Sequence, residues 1–176
     1  MTVSNILIII SAVITALTFF IHDLTNFGIN HTFLSESMYN KVLIQFLLYQ
    51  FLHGGIIHLV FNSLFIYIFG NGLEDLIGKR KFIIFFIFNT IFVGISLFLF
   101  TSGNTIGISG FCMAILTYFT LELYNKNNPE YKGGITAIVI NIGIGLTPGI
   151  SLIGHLFGSI AGVIFYLYNR EKKELN

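Results

Sequence analysis

Apolar positions fill four uncharged runs along the chain, and the polar residues between them mark where helices must end. A helix needs about 20 apolar residues to cross a bilayer core. The run Met1 to His22 holds one such span, 3–21. Val42 to Leu73 is too long for one span and too short for two, and Gly54-Gly55 breaks it. This predicts an interfacial or re-entrant helix over Val42 to Leu52 and a second span over 56–76. Phe82 to Leu121 fits two spans, 82–100 and 109–124, split by Thr101-Ser102-Gly103-Asn104-Thr105. Gly133 to Asn169 fits two more, 135–146 and 152–168, split by Thr147-Pro148-Gly149. In lipid every backbone polar group needs an internal partner, so helices are the expected form. The expectation is an all-α membrane protein: one domain over 1–176, a six-transmembrane-helix bundle with a re-entrant or interfacial first external loop.

Composition agrees with this pattern. The 176 residues are 55% hydrophobic and 10% charged, where soluble domains carry about 25% charged residues. Met1 to Asn5 has no positive region, and the first apolar run is long enough to span, so it reads as a span and not as a cleavable signal. With the N-terminus inside, the cytoplasmic loops hold Lys79, Arg80, Lys81, Lys126, Lys132, Arg170, Lys172 and Lys173, and the outer loops hold Lys41 alone. That asymmetry predicts both termini on the cytoplasmic side. The Ile-, Phe-, Asn- and Lys-rich composition fits an AT-rich bacterial genome, hence a bacterial plasma membrane. A net charge of +1 gives no footprint for nucleic acid. The single cysteine, Cys112, permits no internal disulfide and reads as a packing residue.

Polar groups at membrane depth are costly and face a bundle interior or a water-filled cavity. His53, His58 and Asn62 fall within ten positions near the outer end of span two, and His58 and Asn62, four apart, share a helix face. Interhelical hydrogen bonding is the simpler reading for each alone; together they favour a site. Glu74 lies sixteen residues beyond His58, about 24 Å along a helix. It is too far to act there and suits bonding to backbone groups of a neighbouring segment.

Gly107-Ile108-Ser109-Gly110 begins span four, which is short. Either the span starts below the membrane surface, or Asn104 to Ile108 descends into the bundle as non-helical backbone, allowed where it is protein-buried or lines water. At a helix start, Ser109 would sit beside unpaired N–H groups able to stabilise an oxyanion. From these four residues alone a simple N-cap is the better explanation of the serine. Span six carries Gly154, His155, Gly158 and Gly162; the glycines repeat every four residues and form a close-packing face. His155 stands at matching depth beside that face, so Ser109 reads as a nucleophile and His155 as its base. No Asp or Glu lies at the outer ends of these spans, so the pair is a dyad, and backbone or another polar side chain must fix the histidine tautomer.

These residues together resemble the rhomboid family of intramembrane serine proteases. The resemblance rests on His53, His58 and Asn62 as H-x4-H-x3-N, Gly70, Glu74 and Gly78 as G-x3-E-x3-G, Gly107 to Gly110 as G-x-S-G, and His155, Gly158 and Gly162 as H-x2-G-x3-G. It covers nearly the whole chain in the six-helix bacterial form. It implies catalysis by Ser109 and His155, an oxyanion hole of His58, Asn62 and the Ser109 N–H, and a supporting role for His53. The implied substrates are transmembrane segments of other membrane proteins, with single-pass proteins as partners within the lipid bilayer. Span five and the Thr147 to Ser151 loop would be a lateral gate and cap. No cofactor or metal is implied. Three positions depart from common family residues: Ile44-Gln45 stand where Trp-Arg is frequent, and Met113 where Tyr is frequent. Two other readings stand beside it: a non-catalytic membrane chaperone of the same fold, and a transition-metal transporter or metalloenzyme using His53, His58 and His155 as ligands.

Overall fold

A computed structural model describes residues 1–174; the side chains of Lys172 and Lys173, counted in the charge asymmetry, lie outside the described residues. The described chain is helical, without strands. α1 covers Val3–Thr18. A 3-10 turn (His22–Phe27), the short α2 (Thr32–Ser35) and α3 (Tyr39–Leu48) follow. α4 (Ile56–Phe65) runs through a π-helical stretch, Ile66–Gly70, into α5 (Asn71–Ile77). The remaining helices are α6 (Lys79–Phe100), α7 (Ser109–Asn125), α8 (Tyr131–Ile144) and α9 (Leu152–Glu174). Three helical segments are long and apolar enough to cross a membrane: Ile56–Ile77, Lys79–Phe100 and Leu152–Glu171. α1 (16 residues) and α8 (14 residues) are apolar but shorter.

Several boundaries differ from the hydropathy-based ones, because hydropathy marks the lipid-facing part of a helix and not its ends. α6 starts at Lys79, not Phe82: Gly78 adopts φ 85°, a left-handed conformation that reverses the chain between α5 and α6. α8 starts at Tyr131, not Ile135. Asn128 Oδ1 accepts the Glu130 N–H at 3.0 Å and turns the chain before the helix, which then runs through Gly133-Gly134. It stops at Ile144, ahead of Gly145 and Pro148. α1 stops at Thr18, whose hydroxyl donates to the Thr15 carbonyl in the last turn. The first loop helix is Tyr39–Leu48, shifted toward the N-terminus from Val42 to Leu52, and His22 to Lys41 carries structure of its own.

The core is aromatic. Phe82, Phe85, Phe111, Tyr118 and Phe165 pack ring on ring between α6, α7 and α9. Outside it the surface is covered by exposed Ile, Leu and Phe, such as Ile57, Phe61, Ile87 and Val139, as a lipid-facing surface requires.

The tightest junction joins α7 and α9. A Cβ on Gly158 would overlap the Gly110 carbonyl oxygen, and one on Gly162 would sit 2.5 Å from the Ala114 carbonyl oxygen. Glycine is required there because backbone meets backbone. Far from this junction, Glu74 is buried, 5% exposed. Its carboxylate accepts the Val3 and Ser4 N–H groups, both at 2.9 Å, and the Ser4 hydroxyl at 3.1 Å. It thereby satisfies two of the orphan amides that begin α1.

Candidate active site

Residues 101–108 connect α6 to α7 without helix. This stretch is stitched to the first loop. Ile29 and Thr105 exchange backbone bonds at 2.9 and 3.0 Å, and the Gly107 N–H donates to the Tyr49 carbonyl at 2.8 Å. Gln45, one of the departures from common family residues, is buried and donates from Nε2 to the Gly28 carbonyl at 2.7 Å. Its neighbour Ile44 is 39% exposed. Tyr49 donates to the Thr90 carbonyl on α6 at 2.9 Å, so the loop is pinned on both sides. Irregular backbone at this depth persists because these partners satisfy it.

Gly107 adopts φ 119°, and a Cβ there would lie 2.7 Å from the His58 ring. The glycine lets the chain pass directly under that imidazole and enter α7 at Ser109. Ser109 is the first helical residue, not the cap; the cap position is Ile108, and no side chain caps α7. Phe111 and Cys112 both donate to the Ile108 carbonyl, so the first amides of α7, at Ser109 and Gly110, remain available to something else.

One open cavity of about 1630 Å³ collects the key side chains. Ser109, His155, His58 and Asn62 all line it, together with Met113 and Cys112 below the serine. The α7–α9 glycine contact sets the registration: Gly110, next to Ser109, lies against Gly154 and Gly158, which flank His155. His155 is 6% exposed. Its Nδ1–H donates to the Asn141 carbonyl of α8 at 2.8 Å. A carbonyl can only accept, so in the neutral ring the lone pair resides on Nε2. Ser151 Oγ accepts the Gly154 N–H at 3.0 Å and starts α9 just ahead of the histidine.

Asn62 is 8% exposed; its Nδ2 has no partner among the described residues, while its Oδ1 accepts from the Cys112 thiol at 3.7 Å. That contact, absent from any spacing motif, turns the amide so that its N–H groups are the unspent ones. His53 lies behind His58, ring edge to ring face, with centroids 5.0 Å apart. Burial, reinforced by neighbouring His58, pushes the His53 imidazole down to about 4, so it is neutral at ordinary pH. The Thr15 hydroxyl donates to the Phe51 carbonyl, so its oxygen accepts from His53 Nδ1. His53 thus ties α1 to the back wall of the site. Glu74, at the opposite end of the α4–α5 helix, does not join the cavity.

Among the described residues, no three His, Cys, Asp or Glu side chains are grouped to hold a metal ion, so His53, His58 and His155 do not form a ligand set.

A family model for the rhomboid domain matches residues 40–172. The chain belongs to the rhomboid family. It is therefore an integral membrane protein with a multi-span helical bundle, and the family relation supports intramembrane protease chemistry at the family level. Relatives include a protein of Acanthamoeba polyphaga mimivirus named as a rhomboid protein, 29% identical over 132 residues, covering 72% of this chain and 75% of its own. YdcA of Bacillus subtilis, named as a rhomboid protease, is 26% identical over 70% of this chain and 65% of its own. The rhomboid protease GluP of the same organism is 32% identical over 63% of this chain. This rhomboid spans only 23% of GluP, so the match there is to one part of a longer protein.

Proposed function

We propose that this rhomboid is a serine endopeptidase that cleaves transmembrane segments of other membrane proteins through the dyad Ser109 and His155. The observation that carries this reading is the single cavity shared by Ser109, His155, His58 and Asn62. Ser109 Oγ attacks the peptide carbonyl while His155 Nε2 takes its proton. The oxygen of the tetrahedral intermediate becomes an anion, and the Ser109 N–H, Asn62 Nδ2 and His58 stabilise it as hydrogen-bond donors. His155 then returns the proton to the departing amine as the C–N bond breaks. Water, deprotonated by the same histidine, hydrolyses the acyl-serine and restores the enzyme.

Single-pass membrane proteins are the proposed substrates, admitted between α4 and α8 on the side of the cavity lined by Phe61, Phe65 and Ile144. Under this reading the basic-residue asymmetry favours both termini on the cytoplasmic side, and the composition favours a bacterial cell. The whole of 1–176 is one unit with six spans; the short α1, α7 and α8 cross with their ends below the headgroups.

The test is cleavage of a tagged single-span reporter by purified protein in liposomes, beside Ser109→Ala, with fluorophosphonate labelling of the serine as a substrate-free readout. Cleavage and labelling by wild type, with neither in the variant, is the expected result. Equal cleavage by both proteins, or no labelling of wild type, overturns the reading.

A further inference from the structure

α8 buries none of its described residues fully, yet it supplies the group that orients the base. Its far end approaches α7 closely, where a Cβ on Gly134 would overlap the Thr120 hydroxyl. Its cavity end rests on α9 through the Gly145 backbone, which lies against Leu152, and through the bond from His155 Nδ1 to the Asn141 carbonyl. The last turn of α8 is tightened there. The Gly145 N–H divides itself between the Asn141 and Ile142 carbonyls, at 3.2 and 3.0 Å, which leaves the Asn141 oxygen open to a second donor.

We propose that the Asn141 main-chain carbonyl is the positioning group of His155, doing for this dyad what a carboxylate does in a triad, and that the base is therefore oriented only while α8 is seated on α9. The proposal rests on the Ser109–His155 reading above. Among the described residues, no Asp or Glu lines the cavity to take this role. An imidazole has two neutral tautomers, and only an acceptor at Nδ1 holds the proton there and leaves Nε2 free for the serine. An outward shift of α8 removes that acceptor. The same movement that widens the cavity toward Phe61 and Ile144 thus releases the base, and the base is set again when α8 returns. Admission of a segment and proton transfer are then coupled through one hydrogen bond, and an open α8 is a catalytically idle state.

The experiment replaces Ile142 by its α-hydroxy acid through nonsense suppression, which turns the Asn141 carbonyl into an ester carbonyl, a weaker acceptor. The same replacement at Ile140 weakens the Val139 carbonyl instead and removes an equivalent helical N–H, so it controls for damage to α8. The structural readout is the ring-nitrogen NMR spectrum of 15N-histidine protein, with the His155 signals assigned by their loss in His155→Asn. Wild type is expected to show the Nδ1–H tautomer at His155. The Ile142 ester is expected to lower that tautomer's share and to reduce kcat about fivefold with KM changed less than about twofold, while the Ile140 ester behaves as wild type. A wild-type His155 protonated mainly at Nε2 overturns the proposal, whether or not either ester variant folds. Equal effects of the two esters on the His155 signals also overturn it. If the tautomer responds as expected but wild-type Ser109 takes no fluorophosphonate, the positioning role stands and the protease reading falls.

Discussion

α8 and α9 flank the same helix, α7, and are attached to it in opposite ways. Along α9 the backbones touch: Gly158 faces the Gly110 carbonyl and Gly162 faces Ala114, with no room for a methyl group. α7 accordingly buries most of its length, from Gly110 through Thr120. α8 contributes no buried residue, and a methyl group on Gly143 would meet nothing within 4 Å. Ser109 and His155, the proposed nucleophile and base, therefore sit on one rigid seam, where a fixed distance is needed. The loosely held helix borders the opening, where movement is needed. Rigidity and mobility are divided between two neighbours by a single sequence device: Gly158 and Gly162 permit backbone contact along α9, while Gly143 faces open space near the cavity end of α8.

Breaking the seam should have the largest effect. Gly158→Val forces two backbones apart and is expected to cost about 3 kcal/mol and abolish cleavage. Thermal unfolding in detergent checks this, and a wild-type melting temperature would mean the seam is not rigid. Gly107→Ala should come next. It places a side chain at φ 119° and drives it into the His58 ring, at about 2 kcal/mol of strain. If His58 holds the oxyanion as proposed, kcat should fall by at least about tenfold, read in the liposome assay.

Gly143→Ala sharpens the comparison through its sign. The same chemical change as in the seam should here raise stability by up to about 1 kcal/mol, since alanine favours the helix and the space is empty. Cleavage should stay within about twofold of wild type, and destabilisation comparable to Gly158→Val would erase the distinction drawn here. Cys112→Ala is the mildest test. It removes the thiol that orients Asn62, and because a thiol is a weak donor the expected loss is about threefold in kcat at unchanged KM, with Cys112→Ser retaining activity. Steady-state kinetics of the two variants separate positioning from bulk.

What could be read without the fold was whatever depends on spacing along one helix or on transfer from water to lipid. The long charge-free runs marked the rough position of the apolar helices, because unpaired backbone cannot stay in hydrocarbon. The four-residue spacing of His58 and Asn62 put both on one face, and that of Gly154, Gly158 and Gly162 announced a close-packing surface. The short residue count around Ser109 left two choices, a helix starting below the membrane surface or irregular backbone descending to it, and residues 101–108 are irregular. Helix ends were misjudged at Lys79 and Tyr131, since polar residues can continue a helix beyond the lipid.

Only the tertiary structure decided what meets across the bundle. Glu74 and the start of α1 are 70 positions apart, and no local pattern links them. The Cys112 contact to Asn62 depends on how far α4 is rotated against α7. The acceptor for His155 could not be read from side chains at all. It is a main-chain carbonyl, which every residue carries, and its availability follows from where α8 ends and how it leans on α9. Sequence alone named the candidate groups for the chemistry; the packing of three helices put a main-chain acceptor beside His155 Nδ1.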